Sequence, residues 1–522
     1  MTTNISLAST SLTQPISLDR QFWIDLCLVT LVGIVVYGSN VDYLMRGDAA
    51  TYADFALNAK FDDITLHTGY YVLVFVLDRV IGHPLGIPVH EMMVYLNVVA
   101  GALTLAVAYP LSRQLLGTRQ AALVSVLILL LCGRMVMNAT SSEIYMPQTF
   151  LVLLSFLFFA REHTWAAAIT GGVALYISPL SAFAYLFYPV FDYQRHGRVR
   201  FDVLIKFAVI GFAVYLPFLM VNGNELFWGR RGLLRINEFE SAKPIAALVN
   251  FPRFQFKHYT VLLLFLLPAL LVVRQHLSLL ALSAAVFVPH LYILLRLAGE
   301  DNVFILTTDF FFACWLALGW QALQRYPYGK FVSIGVLLAY VGTIVAGSVL
   351  FSFRDNKEYA GEMAGIARDY LHGRNSVMIT DWDVAISLTY FGREHVQGAV
   401  EQDPLFGRMF NLGKAKRSAT ELGLTPSAQL HRMLIDLDGL RETERDRSRE
   451  PEIFLLDPWE PSDINRLFSS EEKLERLRFD RSLRSQAERV LDLSCTLVYQ
   501  YRHALYRCKE NSAIRPGLSV SS

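Results

Sequence analysis

The 522-residue chain has almost no excess of either charge. Lys and Arg number 47 against 46 Asp and Glu, a formal net charge of +1. No bulk field argues for nucleic acid as a partner. Cysteine is scarce as well, five in all, and no spacing among them resembles a zinc site. The C-terminal region holds no G-x-G-x-x-G fingerprint, no Walker loop and no nucleophile elbow. An internal repeat is missing too, and so are the short alternating segments of a membrane barrel.

What the chain has instead is long apolar blocks. Hydrophobic residues make up 53% of it, and the mean hydropathy is +0.36. The blocks run roughly 17–22 residues with few charges, the length that crosses a hydrocarbon core. They predict a multi-pass α-helical membrane protein. Residues 1–21 are polar and Ser/Thr-rich and read as disordered. A first span at 22–37 lacks a basic flank and a cleavage site, so it reads as a retained anchor. Further spans are expected at 92–112, 121–137, 147–160, 165–178, 182–193, 203–221, 259–273, 277–296, 303–323 and 331–351, about eleven in total. The run 70–81 is shorter and contains Asp78 and Arg79, and it reads as an amphipathic helix in the membrane interface.

Basic residues in short loops orient the bundle. Arg113, Arg119, Arg161, Arg195, Arg198, Arg200, Lys206, Arg274, Arg325 and Lys330 share one side if the N-terminus is inside. The other side then receives the loops 38–91, 138–146 and 222–258 and the C-terminus. The basic loop 222–258 runs against the bias, which suggests a functional use for its arginines. A membrane domain over 22–353 is followed by an outer, water-soluble α/β domain at 354–522, with strands expected at 375–380 and 452–456. Segments 493–497 and 505–508 read as paired strands that would set Cys495 beside Cys508, a disulfide candidate in an oxidising compartment.

The residues suited to chemistry gather on that outer side. Asp48 stands just past the first span, followed by Tyr52 and Asp54 on a short helix. A carboxylate at the membrane boundary is partly desolvated, which suits a general base toward a hydroxyl; the plainer reading is a helix cap. Glu143, in the short loop 138–147, is a second carboxylate that would orient an acceptor or share a divalent ion with Asp48. The alternative is again a cap. His67 is a candidate ligand for a sugar hydroxyl or phosphate, or a headgroup-zone histidine. Asp62 and Asp63 read mainly as solvated loop. Arg230, Arg231 and Arg235 suit bidentate capture of a phosphate, or attraction to anionic lipid. Asn138-Ala139-Thr140 matches a glycosylation acceptor, a triplet common by chance.

These patches resemble the GT-C superfamily of membrane glycosyltransferases, which use polyprenyl-phosphate-linked sugars and include protein O-mannosyltransferases and aminoarabinose transferases. The resemblance rests on Gly47-Asp48-Ala49-Ala50-Thr51-Tyr52 after the first span, His67-Thr68-Gly69-Tyr70 before an interface helix, and Ser142-Glu143-Ile144-Tyr145 in the second outer loop. It covers roughly 20–350 in architecture. The chain departs from the family at Thr68-Gly69, where two prolines commonly follow the histidine. The resemblance implies Asp48 as catalytic base, Glu143 as support for an acceptor or metal, and Arg230 or Arg231 on the departing phosphate. The implied reaction is hexosyl or pentosyl transfer to a lipid, glycan or protein acceptor at the outer face of a cell-envelope membrane. Two other readings are a lipid or glycan flippase and a non-catalytic membrane assembly protein. Spans nearly free of charge, with polar residues gathered at one surface, favour surface chemistry over passage.

Overall fold

The computed structural model describes residues 19–42, 49–57, 67–228, 252, 255–256, 258–296, 306–346, 357–371, 376–380, 388, 390, 408–411, 430, 452–457, 491, 493–500 and 504–510. The chain divides into two compact units, Met1–Asp42 with Phe55–Arg354, and Tyr43–Asp54 with Asp355–Ser522. The boundary falls inside the helix Ala49–Leu57.

The first unit is helical. Among the described residues three helices, Arg20–Gly38, Val89–Leu116 and Thr260–Leu291, are long and apolar enough to cross a membrane, and a fourth span is formed if the bent pair Arg119–Leu131 and Gly133–Thr140 is counted as one. By length and composition this is a multi-pass membrane protein. The 28-residue helix Val89–Leu116 stands at the centre. It packs on Arg20–Gly38, Arg119–Leu131 and Tyr145–Ala160. Gly101 makes a close helix crossing possible: a Cβ there would lie 2.8 Å from Ala139 Cβ and 3.0 Å from the Tyr37 ring. Near the start of the first helix, buried Asp25 accepts from Arg119 Nε (2.6 Å) and Nη2 (2.8 Å) and from the Tyr109 hydroxyl (2.6 Å). A charged side chain in this apolar segment is thus fully partnered.

Two expected elements differ in form. The span expected at 121–137 is broken, and its two halves, Arg119–Leu131 and Gly133–Thr140, meet at 60°. Cys132 leaves the helical region (φ −60°, ψ 121°), which frees the carbonyls of the preceding turn. Phenols take up two of them. Tyr340 donates to the Leu131 carbonyl (2.9 Å) and Tyr37 to that of Leu130 (3.4 Å). Such a break survives at membrane depth because protein, not lipid, surrounds it. The run 70–81 begins as the helix Thr68–Leu77 and continues through a π-helical turn, Asp78–Gly82. Tyr70, Tyr71 and Val74 are buried against the bundle, whereas Val76, Val80, Ile81 and Leu85 are exposed. Asp78 lies on the buried face and Arg79 on the exposed one.

The second unit holds a five-stranded mixed sheet in the order β2-β1-β3-β5-β4. The strands are β1 (Ser376–Thr380), β2 (Arg408–Asn411), β3 (Glu452–Asp457), β4 (Leu493–Gln500) and β5 (Ala504–Glu510). β1 runs parallel to β2 and β3, while β5 is antiparallel to β3 and β4. Every residue of β1 is buried, the pattern of a central strand covered on both faces. Val377, Ile379, Ile453 and Leu455 share a core with Leu430, Leu491 and Leu493. Cys495 and Cys508 face each other in the β4–β5 register and are joined as a disulfide. The strands expected near 375–380 and 452–456 stand at these places; β2 carried no sequence signal.

Candidate functional site

One loop is tied down by contacts from several parts of the chain. The helix Gly133–Thr140 ends at Ser141 and the next helix starts at Tyr145, so residues 141–144 form a short connection between buried segments. Asn97, fully buried on the central helix, reaches across to it. Its Nδ2 donates to the Ser141 carbonyl (2.6 Å) and also to the Glu143 carbonyl. The Tyr70 hydroxyl donates to that same Glu143 carbonyl (3.4 Å). The backbone N–H of Asp42, at the end of the first helical segment, donates to the Thr140 carbonyl (2.7 Å). Three chain segments therefore converge on this connection, and the Glu143 side chain projects from it half-buried.

His67 stands beside this loop. It precedes the helix Thr68–Leu77, is buried, and its ring meets Tyr145 edge-on at 6.5 Å between centroids. Burial depresses its imidazole to about 4, against a partial offset from a hydrogen bond with the Ile177 backbone. The ring is therefore neutral at neutral pH. For the Tyr70 phenol, burial first and then the Glu143 carboxylate raise the pKa well above the ordinary value. Gly69, between these two side chains, lets the segment lie against the helix Thr164–Ile177: a Cβ there would sit 2.4 Å from the Tyr176 carbonyl oxygen.

Glu143 and His67 are thus brought to one region. Tyr52 is buried on the helix Ala49–Leu57, in the other unit. Asp48, Asp62, Asp63, Arg230, Arg231 and Arg235 lie outside the described residues. Among the described residues no three His, Cys, Asp or Glu side chains are grouped as metal ligands.

Sequence reasoning missed two features. Asn97 is one, a lone amide inside an expected span. The other is an ion pair in spans that read as nearly free of charge. Arg134, just after the helix break, donates through Nη1 to both oxygens of Asp309 (2.5 and 2.7 Å), and the Tyr259 hydroxyl donates to Asp309 Oδ1 (2.7 Å). Arg134 and Asp309 are 2% and 1% exposed. Arg134 Nε and Nη2 are buried with no partner among the described residues. The signal was available, since Arg134 and Asp309 are opposite charges in two apolar segments, and such residues pair.

No protein-family model and no curated protein sequence matches the chain. Solved structures do match in fold. ArnT from Cupriavidus metallidurans in the apo state superposes with a TM-score of 0.50 at 12% identity, over 93% of this chain and 98% of that one. ArnT from the same organism bound to undecaprenyl phosphate gives a TM-score of 0.49 at 12% identity, over 94% and 98%. The archaeal oligosaccharyltransferase AglB from Archaeoglobus fulgidus, in complex with an inhibitory peptide and a dolichol-phosphate, gives 0.49 at 12% identity, over 71% of this chain and 63% of that one. Identity this low speaks for architecture and not for activity. The chain shares the fold of ArnT from Cupriavidus metallidurans.

Proposed function

We propose that this protein transfers a sugar from a polyprenyl-phosphate donor to an acceptor hydroxyl at the outer, periplasmic or lumenal, membrane face. The observation that carries the reading is the Glu143 loop, clamped by Asn97 and Tyr70 beside a neutral His67, on an ArnT-like fold. The donor's tail is apolar, so it enters laterally among the spans. Asp48 takes the proton from the acceptor hydroxyl, whose oxygen attacks the anomeric carbon. The bond from that carbon to the phosphate oxygen breaks, and its electron pair leaves with the phosphate. Arg230, Arg231 and Arg235 offset the charge that develops there. Glu143 orients the acceptor, and His67 and Tyr52 contact the sugar. If Asp48 and Glu143 share a divalent ion, it would polarise the same oxygens. The domain at 354–522 faces the same outer side.

The test is transfer of labelled sugar by the protein in proteoliposomes. Asp48→Asn should lower the rate about 100-fold or more, the usual worth of a general base. Full activity in a folded, inserted Asp48→Asn variant would sink the assignment. One observation favours a second reading, movement of a lipid-linked glycan: the buried Arg134–Asp309 pair sits at a helix break, a feature of transport pathways. Flipping of a lipid-linked sugar in liposomes that contain no acceptor would support transport over transfer.

A further inference from the structure

We infer that Asn97 is a positioning residue for the proposed transfer: it fixes the Glu143 carboxylate by clamping the loop backbone on both sides of Ser142, with the Tyr70 hydroxyl as a second tie. This rests on the reading of Glu143 given above. Asn97 is fully buried on the central helix, and one amide nitrogen spans two carbonyls, those of Ser141 and Glu143. Both hydrogens of that nitrogen are thereby committed to the loop. Tyr70 donates to the Glu143 carbonyl from a different helix, so the loop is tied to two helices. A carboxylate on an exposed connection would sample many positions. Here the peptide next to it is fixed from two helices. Preorganisation of this kind accelerates a reaction because the cost of ordering is met during folding. Ala at 97 removes one tie from the Glu143 carbonyl and the side-chain tie from that of Ser141.

The inference separates from a purely structural role in a double-mutant cycle. Asn97→Ala, Glu143→Gln and the double variant are assayed for sugar transfer in proteoliposomes, over a range of donor concentration. Asn97→Ala should lower kcat about tenfold with KM for the donor changed less than about twofold, the signature of a lost orientation effect. In the Glu143→Gln background the same substitution should cost almost nothing further. Tyr70→Phe removes a single hydroxyl and serves as the milder variant, with a loss of about threefold that also vanishes with Glu143→Gln. Hydrogen exchange of the full-length protein supplies a readout independent of turnover. Peptides covering 139–146 should exchange faster in Asn97→Ala, while those of the central helix stay unchanged. Losses that simply multiply across the cycle, or wild-type exchange in the loop, overturn the positioning role and leave the proposed reaction standing. Wild-type transfer by Glu143→Gln overturns the role of Glu143 and this inference together.

Discussion

Arg134 and Asp309 show what one pair of side chains can decide. They are nearly fully enclosed, and each is tolerable only because the other is there. Asp309→Asn leaves Arg134 charged without its counter-ion, which should cost roughly 3–5 kcal/mol. The melting temperature in detergent should fall by roughly 10 °C. Replacing both, Arg134→Met with Asp309→Leu, should cost distinctly less, because no buried charge is then stranded. Equal losses in the two variants would mean that the pair is not the source of the effect. His67 gives a pH-dependent counterpart. Its folded value of about 4 is below the ordinary histidine value of 6.5. The unfolded chain therefore binds the proton more readily. The associated stability is complete above about pH 6.5 and is lost as pH falls through about 4, to a total of up to about 3 kcal/mol. Thermal unfolding between pH 7.5 and pH 4 should show this slope, and His67→Gln should flatten it.

At the level of elements, close approach is the recurring device. The helix Thr68–Leu77 carries Tyr70 to the Glu143 loop only because Gly69 has no side chain to hold it off Tyr176. Gly69→Ala would place a methyl 2.4 Å from that backbone oxygen. It should cost about 1–3 kcal/mol and shift the helix outward. The matching measurement is a lower melting temperature together with faster hydrogen exchange in residues 67–77. Unchanged values would show that the segment relaxes without strain. In the other unit, the β4–β5 hairpin is stapled by Cys495–Cys508, a sequence separation of 13. In the chain-entropy account this closure contributes about 3 kcal/mol. Cys495→Ala with Cys508→Ala should destabilise the sheet unit selectively, visible as early proteolysis there while the helical unit stays intact.

On the scale of the whole molecule, the disulfide bears on which side of the membrane the C-terminal unit occupies. Such bonds persist in oxidising compartments. With the unit on the outer side, Cys495 and Cys508 should resist alkylation in intact cells until a reductant is added. Ready labelling without reductant would reverse the proposed orientation. The helical class and the α/β character of the C-terminal unit were legible in the sequence, because hydropathy, block length and strand pattern are local properties. The sequence also placed Cys495 beside Cys508 through strand alternation over a short hairpin. It could not pair Arg134 with Asp309, which are 175 positions apart. Nor could it join Asn97 to Glu143 across 46 positions. Those contacts depend on which helix faces come together, and apolar spans look alike from any side. Likewise the bend at Cys132 was hidden in a continuous apolar run, since nothing local marks a carbonyl that a distant tyrosine will satisfy. What the sequence determined alone was the kind of protein, a multi-pass helical one with a separate α/β unit. Tertiary packing decided how the Glu143 loop is held, because burying an amide, a phenol and an ion pair forces each to find its partner.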